Sequence, residues 1–437
     1  MNDHGNRKTP YLVSLLILAV SAGPSVPADG AALEAPTWSQ WRGHDRDGRV
    51  PGSEWPDSLE GLSRIWTVPL GKGYPGPIVT GDRVFVFETV DRKTVAVRAL
   101  DRSTGEGIWK KSWSAEGSVP FFAQANGDWV RSTPAFDGKT LYVGDMMEVV
   151  AALDAATGEE RWRVDVPERF GTGIPQFGFA SSPLIDGDGL YIQAANSLVK
   201  LDKSTGATIW RALEATGDIG ISGAFSSPII ATLGGKRQLV VLTRAALNGV
   251  DPDTGEVLWS RSVPSFRGMN ILTPVVHNDS VFTSPYKNGS FLFTLRKQDA
   301  GFAVEETWTN KASGYMSSPV VIDGHAYIHL GNGRVDCIDL ESGTSRWRTQ
   351  PLGKYWSMAW QGHKILALSD NGSLYLVRAN PEAFELLDTG EVTGKSTWGH
   401  LAVDGEHLFV RELEAITAYR WKPVEPPASG GIAASND

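Results

Sequence analysis

Short apolar runs broken by turn residues make up most of this chain. Residues 132–165 show the grain. Ser132-Thr133-Pro134-Ala135-Phe136 reads as a first strand and ends in Asp137-Gly138. Residues 140–143 and 149–153 read as the second and third strands. A turn over 154–158 follows, and residues 161–165 carry the fourth strand with Trp162. Glycine takes positive φ without steric cost, so Asp-Gly and Thr-Gly suit tight turns. The aspartate can accept bonds from amides just ahead and so fix the turn.

This four-strand unit recurs. The motif A-x-D-x-x-T-G-x-x-x-W spans 99–109 and 152–162, and returns with other first residues at 200–210 and 249–259. With Ser342 for the threonine it returns at 337–347. Its fixed positions are Asp101, Gly105 and Trp109; Asp154, Gly158 and Trp162; Asp202, Gly206 and Trp210. The last two copies hold Asp251, Gly255 and Trp259, then Asp339, Gly343 and Trp347. Residues present in every copy serve the blade: the aspartate and glycine make the turn, and the indole seals a seam. Ser/Thr-Pro opens the first strand at Ser182, Ser227, Thr273 and Ser318, where a missing amide donor matters least.

Tryptophans 109, 162, 210, 259, 308 and 347 are 53, 48, 49, 49 and 39 residues apart. Four strands at that spacing are the period of a β-propeller blade. Six units end at these tryptophans, and a seventh, without one, runs from 357 to about 388. Residues 401–419 then supply three strands, and residues 63–68, with Trp66, supply the fourth. The expected fold is therefore all-β: an eight-bladed β-propeller of four-stranded antiparallel blades, the last closed by the N-terminal strand. Closure removes the free sheet edges. Blade four is expected to carry an expanded first turn at 232–236, and blade five replaces the aspartate turn with 296–301.

The ends read differently. Residues 1–28 look like a secretory signal: Arg7 and Lys8, an apolar run at 11–22 too short to span a bilayer, then Val26-Pro27-Ala28. Residues 29–60 form an arm with Trp38, Trp41 and Trp55, expected to pack on the propeller of 61–421 because disorder goes with few aromatics. The tail, 422–437, is rich in Pro, Ala and Gly and is expected to be disordered. A net charge of −9 argues against a nucleic-acid partner. Cys337 is the single cysteine, so no internal disulfide is expected.

The repeat resembles that of the pyrroloquinoline-quinone (PQQ) type propellers, over about residues 62–421. The segment Trp38-Ser39-Gln40-Trp41-Arg42-Gly43 with Asp47-Gly48 is similar to one that precedes this propeller in secreted planctomycete proteins. One branch of the family is the quinoprotein dehydrogenases, which hold PQQ and calcium in the channel. Their adjacent cysteine pair cannot exist here, because Cys337 is alone. The other branch is the non-catalytic outer-membrane assembly scaffold BamB, whose lipid-anchor cysteine is missing here. The resemblance implies a periplasmic or secreted scaffold that binds a protein or peptide, or else a glycan, as a monomer with no cofactor. PQQ with calcium is the alternative.

Binding chemistry is expected on the loops between blades, which share one face with the second-to-third strand turns. Loops on a rigid scaffold are the usual seat of specificity. They carry Tyr74, Phe122, Trp129, Arg131, Phe177, Phe179 and Phe225. Arg267, Tyr315, Tyr355, Trp356 and Trp398 continue the ring, and Arg244 and Arg334 in the adjoining turns are candidate anion contacts. Such an aromatic ring suits a peptide, glycan or flat ligand. No nucleophile constellation is visible. Asp45-Arg46-Asp47-Gly48 and Asp186-Gly187-Asp188-Gly189 fall short of a full calcium loop, and no metal is expected.

Overall fold

The structure, a computed structural model, describes residues 38–121, 127–215, 223–299 and 301–421. The signal-like segment, the tail and Phe122 lie outside the described residues. Eight four-stranded antiparallel sheets follow one another along the chain. Blade one covers 78–114, two 135–165, three 184–212 and four 229–262. Blade five covers 275–310, six 320–348 and seven 356–391. Blade eight takes three strands from 402–421, and Leu62–Pro69 pairs outside Ala415–Trp421 to complete it. The N-terminal strand therefore closes the ring, as the tryptophan count predicts.

Two details differ from the sequence reading. The first hairpin of blade four is tight, not expanded. Ile229–Leu233 pairs through to Lys236–Leu242, and only Gly234 and Gly235, both at positive φ, make the turn. The extra residues lengthen the strands. A one-turn helix, Val166–Phe170, also interrupts the loop after blade two, where no helix is expected. The Asp165 side chain caps it by accepting from the Glu168 amide.

The aspartate turns form as expected. Asp101 Oδ1 accepts from the amides of Ser103 and Thr104, and Asp154, Asp202, Asp251 and Asp339 repeat the arrangement. Each turn, however, receives the tryptophan of the preceding blade. Trp66 Nε1 donates to Arg102 O, Trp109 to Ala155 O, Trp162 to Lys203 O and Trp210 to Pro252 O. A Cβ on Gly105 would stand 2.8 Å from Trp66, and one on Gly158 2.6 Å from Trp109. Trp259 faces blade five, which lacks the turn, and bonds Gln238 of its own blade instead.

The innermost strands are stitched by hydroxyls. The Thr133 amide donates to Ser182 Oγ, that of Ser182 to Ser227 Oγ and that of Thr273 to Ser318 Oγ. The serine or threonine before each proline thus links neighbouring blades around the channel.

Candidate functional site

The arm runs through the channel. Trp38 pairs with Val79 of blade one, and the Phe136 amide of blade two donates to Ser39 O. Gln40 accepts from Ile185 of blade three, and Trp41 Nε1 donates to Thr273 Oγ1 of blade five. Arg42 donates to Pro319 O of blade six, and Arg46 to Ser182 O and Pro183 O of blade three. Arg49 pairs with Trp360 of blade seven, the Val50 amide donating to Trp360 O, and Trp38 and Trp41 pack against His400 at the start of blade eight. Trp38, Arg42, Arg46 and Trp55 are buried.

Neither Arg42 nor Arg46 has a carboxylate at ion-pair distance among the described residues; backbone carbonyls hold their guanidinium groups instead. Burial without a paired acid pushes the Arg42 pKa down to about 10 and that of Arg46 to about 9, Arg42 adding repulsion to the latter. The arm divides the channel. Asp45, Arg46 and Asp47 line a cleft among the Asp-Gly turns at one end. Trp41 lines a cup among the inter-blade loops at the other.

That cup measures about 420 Å³. Tyr74, Phe177, Phe225, Tyr315, Tyr355 and Trp398, all expected on this face, surround it together with Arg131. Two pairs of these rings touch: Phe177 meets Phe225 edge-on at 5.6 Å, and Tyr355 stacks on Trp398 at 5.4 Å. Arg131 lies 5.5 Å over Tyr74 and donates to Phe177 O and Gly127 O. Burial lowers its pKa, and burial raises those of Tyr315 and Tyr355. Among the described residues, no Asp, Glu or His lines the cup.

Other expected residues sit elsewhere. Trp129 stands one layer back, edge-on to Tyr74, and Arg244 lies 4.6 Å over Phe225. Arg267 is exposed at the rim. Phe179 and Trp356 do not reach the cup. Phe179 is buried between blades two and three against Gly144. Trp356 is buried in its strand between His329 and Tyr375. Tyr355 and Trp356 are adjacent on an extended chain and so point to opposite sides. Phe177 and Phe179 are parted by a turn: Gly178 between them takes φ 63° and its amide donates to Pro175 O. Arg334 donates to Thr349 O and ties its own hairpin. The sequence reading missed Trp41, Met269, Ile271 and Met316, together with the hydroxyls of Ser182, Ser227 and Thr273. The density of tryptophan in the arm is the signal that could have placed Trp41.

A family model described as outer membrane protein assembly factor BamB, built on the PQQ repeat, matches residues 92–349. The chain is 23% identical over 344 residues to outer membrane protein assembly factor BamB of Yersinia pestis, covering 76% of this chain and 69% of that one. Among solved structures, BamB from Moraxella catarrhalis is similar with a TM-score of 0.58 at 15% identity, over 84% of this chain and 99% of that one. Quinohemoprotein alcohol dehydrogenase from Comamonas testosteroni is similar with a TM-score of 0.63 at 15% identity, over 90% of this chain and 82% of that one. At such identities both likenesses speak for the fold alone. With more than half its length matched by the family model, this chain belongs to the PQQ-repeat propeller family described as outer membrane protein assembly factor BamB.

Proposed function

We propose that this chain is a non-catalytic, protein-binding propeller of the cell envelope, working in the periplasm or outside the cell. Its site is the aromatic cup, which takes an apolar side chain of a partner protein. The observation that carries this is the make-up of the cup among the described residues: six converging aromatic rings, a tryptophan of the arm among its lining, and no acidic group. Buried aromatic pockets are where partner side chains anchor most strongly. Membership of the family and the relatives' printed role in outer membrane protein assembly support the same reading.

The quinoprotein alternative is less well supported by the residues present. Calcium takes six to eight oxygen ligands, carboxylates prominent among them. Among the described residues no carboxylate lines the cup, and the channel below it is filled by Trp38, Trp41, Arg42 and Arg46. The donor set does not fit a calcium-held quinone.

The test is capture from envelope extract by the immobilised chain. Trp398→Ala and Phe225→Ala, separately, are expected to weaken capture of the partner about tenfold or more, as truncated anchor residues do. Capture equal to wild type by both variants, each folded by circular dichroism, would overturn the reading.

A further inference from the structure

Three cations crowd the rim of the cup beside blades four and five. Arg244 lies 4.6 Å over Phe225, which lines the cup. Arg267 and Lys287 lie 5.3 Å and 4.6 Å over the ring of Phe266. Lys287 also faces Tyr286 at 5.3 Å, and that ring is 4.3 Å from Tyr315 of the cup. Cations and cup therefore share one run of aromatic surface.

Among the described residues these charges have no acid to answer them. Arg244, Arg267 and Lys287 form no ion pair among the described residues, whereas Arg237, Arg346, Arg348 and Arg378 each do. This holds although the chain carries a net charge of −9. Arg244 Nε is buried with no hydrogen-bond partner, while its terminal nitrogens are held by Gly223 O and Arg267 O. Arg267 and Lys287 are both exposed, and both adopt the left-handed backbone, φ 55° and 59°, that glycine or asparagine fits better. Strained positions of this kind cluster where a side chain is aimed at a ligand.

We propose that this rim receives an acidic stretch of the partner protein, with one of its apolar side chains seated in the cup. The proposal rests on the reading of the cup as a protein-binding site and adds the charge of the segment it takes. Carboxylates meet cations already laid against ring faces, so little side-chain freedom is lost on contact. A basic segment is repelled, and a neutral one gains nothing at the rim.

The test uses two labelled peptides, one alternating Glu with Phe and one alternating Lys with Phe. Binding to the full chain is read by fluorescence anisotropy. The Glu peptide is expected to bind about tenfold more tightly at low salt and to lose that advantage at high salt. Arg267→Glu combined with Lys287→Glu, both exposed and so harmless to the fold, is expected to abolish the preference. Trp398→Ala is expected to weaken both peptides alike. Equal affinities, a preference for the Lys peptide, binding of neither, or a preference that survives the double charge reversal would each overturn the proposal. Failure of this proposal is told apart from failure of the cup by envelope capture, which Trp398→Ala and Phe225→Ala test without either peptide.

Discussion

His400 is buried against Trp38 and Trp41, and its Nδ1 bonds Leu401 O. Burial, reinforced by the Arg42 charge, lowers its pKa from 6.5 to about 3. The unfolded chain therefore takes up this proton first as pH falls. The contribution to stability is intact above about 6.5 and declines below it, by about 1.4 kcal/mol per pH unit. His329, buried and lowered to about 4, acts in the same direction. Urea unfolding of wild type and His400→Phe between about pH 6.5 and 5 isolates the first term. The variant is expected to lose stability about 1.4 kcal/mol per pH unit less steeply; parallel slopes would show that this histidine is not buried neutral. At this scale the sequence was legible where aromatics stood in irregular loops, as with Tyr315 and Trp398. It was not legible for Trp356, which already obeys the alternation of its strand, or for Phe179, which the turn at Gly178 parts from Phe177.

At the scale of elements, the repeat is a joint between blades. Trp109 and Asp101 belong to one copy of the motif, yet Trp109 docks on the turn of the next copy, around Ala155 and Gly158. Gly158, at φ 77°, has no room for a Cβ beside Trp109, whereas Gly138, at φ 99°, opens on free space. Gly158→Ala is expected to destabilise by about 2–3 kcal/mol, from backbone strain plus overpacking, and Gly138→Ala by about 1 kcal/mol from strain alone. Chemical denaturation of the two variants checks the difference, and equal losses would contradict the joint. The turn and its tryptophan were legible from their spacing. The pairing across copies was not, since a periodic motif reads the same whether its parts meet within a copy or between copies. The hint lay in blade five, which lacks the turn, and in Trp259 beside it, which turns back to Gln238.

At the scale of the whole molecule, the count of strands and tryptophans was enough to close the ring with Leu62–Pro69. The path of the arm was not legible beyond its being ordered. Its principal contacts are guanidinium groups on backbone carbonyls of the inner strands, and carbonyls leave no mark in a sequence. Yet the arm gives the channel two unlike ends. The one holds the aromatic cup, the other clefts lined by Asp45, Asp47 and Asp323. The account places partner binding at the cup. The most direct measurement puts a photo-crosslinking amino acid at Tyr315, in the cup, or at His277, in the opposite cleft, and irradiates cells that export the chain. The account predicts a protein adduct from position 315 and none from 277. Adducts from 277 with none from 315 would contradict it.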